Sequence, residues 1–180
     1  MGQIIECTPH TIFHTLAHFS AISTECESLL LGSGYTTRQI AEQLAVVGSK
    51  FYASFADSPQ LVIDNLSAKF GDILVAAKWD DDCRCRMSFD LGCVVGSRNV
   101  VNVSELSQTE LATIRNEQRG DFTIRVASSL RTFESSMCNL VVGGGCQTPQ
   151  LITMFPGLMA PPLTANIMED IFWSKHVFVQ

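Results

Sequence analysis

The stretch Ser58-Pro-Gln-Leu-Val-Ile-Asp-Asn-Leu-Ser-Ala-Lys-Phe70-Gly71-Asp72-Ile73-Leu-Val-Ala-Ala-Lys78, followed after Asp80-Asp-Asp82 by Arg84-Cys-Arg-Met-Ser-Phe89, is where the chain changes character. Asp57-Ser58-Pro59 opens a helix: a hydroxyl stands at the cap, and a proline's missing N–H costs nothing in the first turn. Gly71 closes it after Phe70. Beyond Asp72, β-branched and alternating residues stand between turn signals, which predicts strands over Ile73 to Lys78 and Arg84 to Phe89. The three aspartates read as the hairpin turn between them.

Upstream, apolar residues recur at helical spacing from Thr8 to about Leu31 (Ile12, Leu16, Phe19, Cys26, Leu30), with Thr8 as cap and Pro9 in the first turn, until Gly32-Ser33-Gly34 breaks the pattern. Thr36 or Thr37 caps a second helix carrying Ile40, Leu44, Val47 and Phe51. Downstream, Val100 to Val103 predicts a strand and Ser107-Gln-Thr-Glu110 the start of a short helix to about Glu117. Arg119-Gly120-Asp121 reads as a turn, and Phe122 to Ala127 and Cys138 to Val142 as strands. Gly143-Gly-Gly145 to Pro149 is a hairpin signal ahead of Gln150 to Phe155. Pro156-Gly157 ends that strand and Ala160-Pro161-Pro162 imposes an extended loop. Ile171-Phe172-Trp173 is then a short amphipathic piece ahead of Lys175-His176.

Three helices followed by about six mostly hairpin-connected strands predict an α+β fold with a mainly antiparallel sheet. A helical region, 1-72, packs with a β-rich region, 73-180, as one globular unit. A parallel doubly wound sheet would need helices between successive strands, and the second half lacks them.

Composition narrows the function classes. With 46% hydrophobic against 17% charged residues, the chain has what a packed core needs and lies away from the composition of disorder. No run of about 18 apolar residues is present, so no membrane span is expected. The start, Met-Gly-Gln-Ile-Ile-Glu, has neither a basic region nor a small-residue cleavage site, and Cys7 stands where a myristoylation signal wants Ser or Thr, so the expectation is a cytoplasmic protein. Seven cysteines then read as reduced thiols. Cys83 and Cys85 would share a strand face, but a zinc ribbon needs a second pair at suitable spacing.

A net charge of −6 argues against broad adhesion to nucleic acid. Seven of the eight arginines nevertheless lie between Arg84 and Arg131, and arginine suits bidentate phosphate contacts, so a locally basic face is allowed.

Two constellations carry candidate chemistry. His10, His14 and His18 fall at i, i+4 and i+8, one stripe on a helix with Cys7 nearby, which either chelates a transition metal or is a solvated face. Glycine clusters offer less: no Lys-Ser/Thr follows Gly143-Gly-Gly145, Gly92 to Gly96 lacks the dinucleotide fingerprint, and no G-x-S-x-G elbow occurs. No cofactor is expected.

The second constellation is Thr153-Met-Phe-Pro156-Gly157-Leu-Met-Ala160-Pro161-Pro162 with Phe172-Trp173-Ser-Lys-His176-Val-Phe-Val179. It resembles the ending of small bacterial and phage-borne domains that run F-P-G-x-x-A-P-P into F-W-x-x-H, a group associated with the barnase, EndoU, colicin and RelE-like metal-independent ribonucleases of toxin systems. The likeness covers about residues 150 to 179, with a looser strand pattern from about Leu91. Such an enzyme must activate the ribose 2′-OH and stabilise an anionic phosphate. On this reading His176 is the acid or base, Arg119 clamps the phosphate, Ser136 and Thr153 hydrogen-bond it, and Lys175 adds a cation; the partners are RNA and a cognate inhibitor. The bland counterpart makes each of these an ordinary surface or packing residue, and the proline loop with Trp173 and His176 a clasp that folds the C-terminal segment over a sheet.

An acidic chain also suits a non-catalytic interaction module, such as an antitoxin, immunity or anti-defence factor, that meets a basic target protein. A zinc-binding regulator built on Cys7, His10, His14 and His18 is the third alternative.

Overall fold

The computed structural model describes residues 4–145 and 147–180. In chain order the elements are α1 (Pro9–Thr15) with a 3-10 turn (Leu16–His18), α2 (Thr24–Gly32), α3 (Thr37–Leu44), β1 (Lys50–Phe51), α4 (Pro59–Phe70), β2 (Cys85–Asp90), β3 (Gly96–Ser97), β4 (Val100–Asn102), a 3-10 turn (Val103–Glu105), α5 (Gln108–Leu111), β5 (Arg115–Arg119), β6 (Phe122–Ala127), β7 (Glu134–Ser135), β8 (Met137–Gly143), β9 (Gln150–Pro156) and β10 (His176–Val179). The fold is α+β, with three sheets that are mostly antiparallel. No helix among the described residues is long and apolar enough to cross a membrane.

Two compact units form: residues 1–97 with 134–157, and residues 98–133 with 158–180. The division does not fall at residue 72, because the core of the first unit joins Phe19, Phe51, Val62 and Leu66 of the helical third to Leu91, Val95, Cys138, Leu140, Val142, Leu151 and Met154 of the strands.

In the first unit, α4 matches its sequence signals: the Ser58 hydroxyl accepts from Leu61 N–H, Pro59 sits in the first turn, Val62, Ile63 and Leu66 face the core, and Gly71 closes the helix at φ 75°. A single helix from Thr8 to Leu31 does not form. The backbone turns extended at Phe19, whose ring is fully buried beside Phe51 at 5.3 Å, and Ser20 N–H donates to Phe51 O (3.0 Å). Ser23 then caps α2 through Cys26 N–H. The second helix likewise stops at Leu44. Val47 is 80% exposed, and Phe51 lies on β1, paired with Gly96, where any Cβ would run into the Lys50 carbonyl.

Ile73 to Lys78 is a series of turns rather than a strand. The Asp72 carboxylate accepts from Leu74 N–H and captures the backbone locally, an alternative to strand pairing that Asp offers readily. Ile73 and Leu74 are still buried. The triple aspartate is a turn held by Asp80, whose carboxylate accepts from Asp82 and Arg84 N–H (3.0 and 2.8 Å). Cys83 adopts φ 56° in that turn and is exposed whereas Cys85 is buried, so the two thiols do not share a strand face.

The sheet order β2-β8-β9 follows from two antiparallel pairings, and a bulge at Val141/Val142 leaves Ile152 unpaired. That extra residue lets Leu151 and Met154, three apart, both face the core.

The second unit is built on the order β4-β10-β6-β5, in which β10 pairs antiparallel with β4 and parallel with β6. β5 and β6 are a hairpin across Gly120-Asp121, as its turn signal predicts. The helix expected to reach Glu117 is one turn long. The Thr113 hydroxyl donates to Glu110 O (2.6 Å) and accepts from Ser128 N–H (2.8 Å), which turns the chain into β5. One sheet face buries Val100, Ile124, Val126 and Phe178, and the other Val101, Ala127 and Val177.

Candidate functional site

The segment after Gly157 folds as a clasp within the second unit. Trp173 is 4% exposed, its indole N–H donates to Pro162 O (3.1 Å), and its ring stacks on Phe178 at 5.2 Å. The Asp170 carboxylate accepts from Phe172 and Trp173 N–H (2.9 and 2.8 Å). Arg125 closes the turn by donating from Nη2 to Ser174 O (3.0 Å) and Trp173 O (3.3 Å). The preceding Phe155-Pro156-Gly157 belongs to the first unit, where the fully buried Asn139 amide donates to Phe155 O (3.2 Å) and Gly157 O (2.8 Å).

His176 begins β10 directly after this turn. Its imidazole lies parallel to Phe172, ring centres 3.8 Å apart, and its Nδ1 is 2.8 Å from Phe172 O. A carbonyl accepts but cannot donate, so Nδ1 carries a proton, and of the two neutral tautomers the bond selects the one whose Nε2 accepts. Glu105 ends the 3-10 turn that follows β4. Its carboxyl is held below the ordinary carboxylate range, first by hydrogen bonds from Arg98, then by Asn102 N–H and the Arg98 charge.

Arg119 ends the edge strand β5 with its guanidinium 4.4 Å from the centre of the Phe178 ring. Phe178 is two residues beyond His176 and therefore on the same face of the strand. Lys175 is exposed, and its backbone joins Val103 and Phe172. Ser136 and Thr153 belong to the first unit. The Ser136 hydroxyl hydrogen-bonds the Asp90 carboxylate, which Gly92 N–H and this bond keep below its usual range, and Thr153 is a half-buried residue opposite Val141. Three of the five residues, His176, Arg119 and Lys175, thus belong to the second unit, and Ser136 and Thr153 to the first.

The histidine stripe does not survive folding, because α1 ends at Thr15. His10 and His14 stay neighbours, edge to face at 4.4 Å. His18 turns inward, with Nδ1 3.1 Å from Ser49 O, and burial lowers its pKa. Burial, then the charges of Asp64 and Glu6, push the Cys7 thiol up to about 11. Among the described residues no three His, Cys, Asp or Glu side chains are grouped to hold a metal, and His18, turned toward Ser49, leaves the stripe expected of Cys7, His10, His14 and His18.

What the stripe leaves behind is a cavity of about 450 Å³ in the first unit, lined by His10 and His14 together with Asp82, Arg84, Gln150 and the turn glycine Gly144. Sequence reading counted Arg84 among the clustered arginines without setting it apart. Its distinction, a guanidinium without a partner among the described residues, is a property of packing.

Compared with known proteins, the chain matches no family model, no curated protein and no solved structure.

Proposed function

We propose that the second unit is a metal-independent ribonuclease of the bacterial toxin type, with His176 as general base and Arg119 and Lys175 as the cations that meet the scissile phosphate. The observation that supports this reading is the fixed imidazole of His176. Its ring is stacked on Phe172 and its Nδ1–H is spent on the Phe172 carbonyl, so Nε2 is the atom left to take a proton. In this mechanism Nε2 takes the ribose 2′-OH proton, the 2′-oxygen attacks phosphorus, and the P–O5′ bond breaks to give a 2′,3′-cyclic phosphate, the departing 5′-oxygen taking a proton from water. Arg119 supplies a planar fork for the equatorial oxygens.

A second reading, the non-catalytic interaction module, draws on the same unit. Leu130 is fully exposed and Ile171 is 85% exposed, large apolar side chains that suit a partner surface.

The test is cleavage of total RNA in EDTA by wild type and by His176→Gln and His176→Ala, each confirmed as folded by circular dichroism. Wild type is expected to cleave, and both variants to lose about a hundredfold or more, the usual contribution of a positioned acid or base. Arg119→Gln is expected to lose about tenfold or more through its charge-assisted contact. Absence of cleavage by folded wild type would overturn this reading in favour of the interaction module.

A further inference from the structure

Seven of the eight arginines are engaged. Arg38, Arg86, Arg98, Arg115 and Arg131 pair with Glu42, Asp80, Glu105, Glu117 and Glu110, Arg125 donates to carbonyls, and Arg119 lies over Phe178. The eighth, Arg84, has a side chain with no ion pair, hydrogen bond or ring contact among the described residues, and it lines the cavity of the first unit. Asp82, two residues before it, also lines the cavity and is also without an ion pair among the described residues. The left-handed Cys83 stands between them, and no Asp82–Arg84 bridge forms.

Across from this pair stand His10 and His14, both exposed. The Tyr35 hydroxyl reaches His10 Nδ1 at 3.4 Å, which occupies one nitrogen of that ring. Among the described residues the cavity therefore holds one guanidinium and one carboxylate without a side-chain partner, and two imidazoles whose remaining nitrogens can donate. A bare anion would gain the guanidinium and imidazoles but would also meet Asp82. A ligand that pairs an anionic head with hydroxyl groups satisfies both signs at once, since hydroxyls donate to a carboxylate. The volume fits a molecule of mononucleotide size, and Ile152 adds an apolar wall.

We propose that this cavity binds a phosphate monoester of a polyol, a mononucleotide or a sugar phosphate, with Arg84, His10 and His14 on the phosphate and Asp82 on the hydroxyls. Gly144 at the cavity wall is at φ 84°, and a Cβ there would run into the Thr148 carbonyl, so the turn that shapes this wall admits glycine alone. The inference goes beyond the RNA-cleavage reading and does not depend on it, because every residue used belongs to the first unit.

The experiment is calorimetric titration of the full chain, in separate arms, with adenosine 5′-monophosphate, ribose 5-phosphate and inorganic phosphate. Saturable binding of an ester is expected with Kd at or below about 1 mM, and Arg84→Gln is expected to raise that Kd about tenfold, the loss of one charge-assisted contact. The double variant His10→Gln/His14→Gln, at two exposed positions, is expected to weaken binding as well. Arg38→Gln, exposed and paired with Glu42, is expected to bind as wild type does. Tighter binding of the nucleotide assigns the ligand to nucleotides, and equal binding of the two esters assigns it to sugar phosphates. Three results would overturn the proposal: no saturable binding of either ester, inorganic phosphate binding as tightly as both, or Arg38→Gln weakening binding as much as Arg84→Gln. None of these arms uses RNA, so their failure leaves the RNA-cleavage reading standing.

Discussion

One continuous stretch of sequence, Phe155-Pro-Gly157 through Phe172-Trp173-Ser-Lys-His176, is held in two different ways by two different units. Its first half is fixed by a buried polar side chain. Asn139 donates to the Phe155 and Gly157 carbonyls while its own oxygen accepts from the Ser88 hydroxyl at 2.7 Å. Its second half is fixed by aromatic burial, Trp173 against Phe178 with one hydrogen bond to Pro162. A motif that reads as a single signature is thus two anchors with different energetics. Only the second anchor carries the imidazole.

The sharpest way to break the comparison is Trp173→Ala. Truncating a buried tryptophan costs about 3–5 kcal/mol, so the denaturation midpoint of the second unit is expected to collapse, and the amide signals of β10 in NMR spectra to shift or vanish. Signals of β8 and β9 moving by as much would sink the idea of separate anchors. Asn139→Leu should cost less, about 1–3 kcal/mol, from leaving the Phe155 and Gly157 carbonyls without their side-chain donor, with the damage centred on β8 and β9. Outside both anchors, Ser58→Ala removes the cap of α4 and is expected to cost about 1 kcal/mol by chemical denaturation, a yardstick for an ordinary local contact.

The smallest effect sets His18 against His176. Burial holds the His18 pKa below its ordinary 6.5, ahead of the opposing bond to Ser49 and the added push of Lys50. The unfolded chain therefore binds this proton more readily than the folded one. Stability from this site is complete above pH 6.5 and falls as the pH drops below it. His18→Gln is expected to flatten the stability profile between about pH 7 and 5, measured as unfolding midpoints at each pH. A profile unchanged by the substitution would show that His18 titrates as freely as a surface histidine.

Much of the fold was legible where side chains act on their own backbone. Ser58, Pro59 and Gly71 delimit α4, and Gly120-Asp121 and the glycine run after Val142 mark hairpins, because caps and turns are local chemistry. Misreadings came where a distant partner decided. Phe19 and Phe51 sit in phase with their helices in sequence, yet both leave helical structure and meet each other through backbone pairing, which periodicity cannot show. Asp72 diverts Ile73 to Lys78 by a hydrogen bond that competes with a strand. The candidate site divided along the same line. His176 and Arg119 fall on one sheet, on β10 and β5 with β6 between them, whereas the His10 to His18 spacing held meaning only while a helix was assumed to continue. Arg84 became conspicuous only once every other arginine could be seen with its partner.

The position of β10 has a consequence for the order of events in synthesis. It lies between β4 and β6, so residues 98–133 have no continuous sheet until residues 176–179 arrive. A nascent chain halted before His176 would present two bare strand edges, the kind of surface that recruits other chains. The second unit therefore completes only after its last strand has left the ribosome.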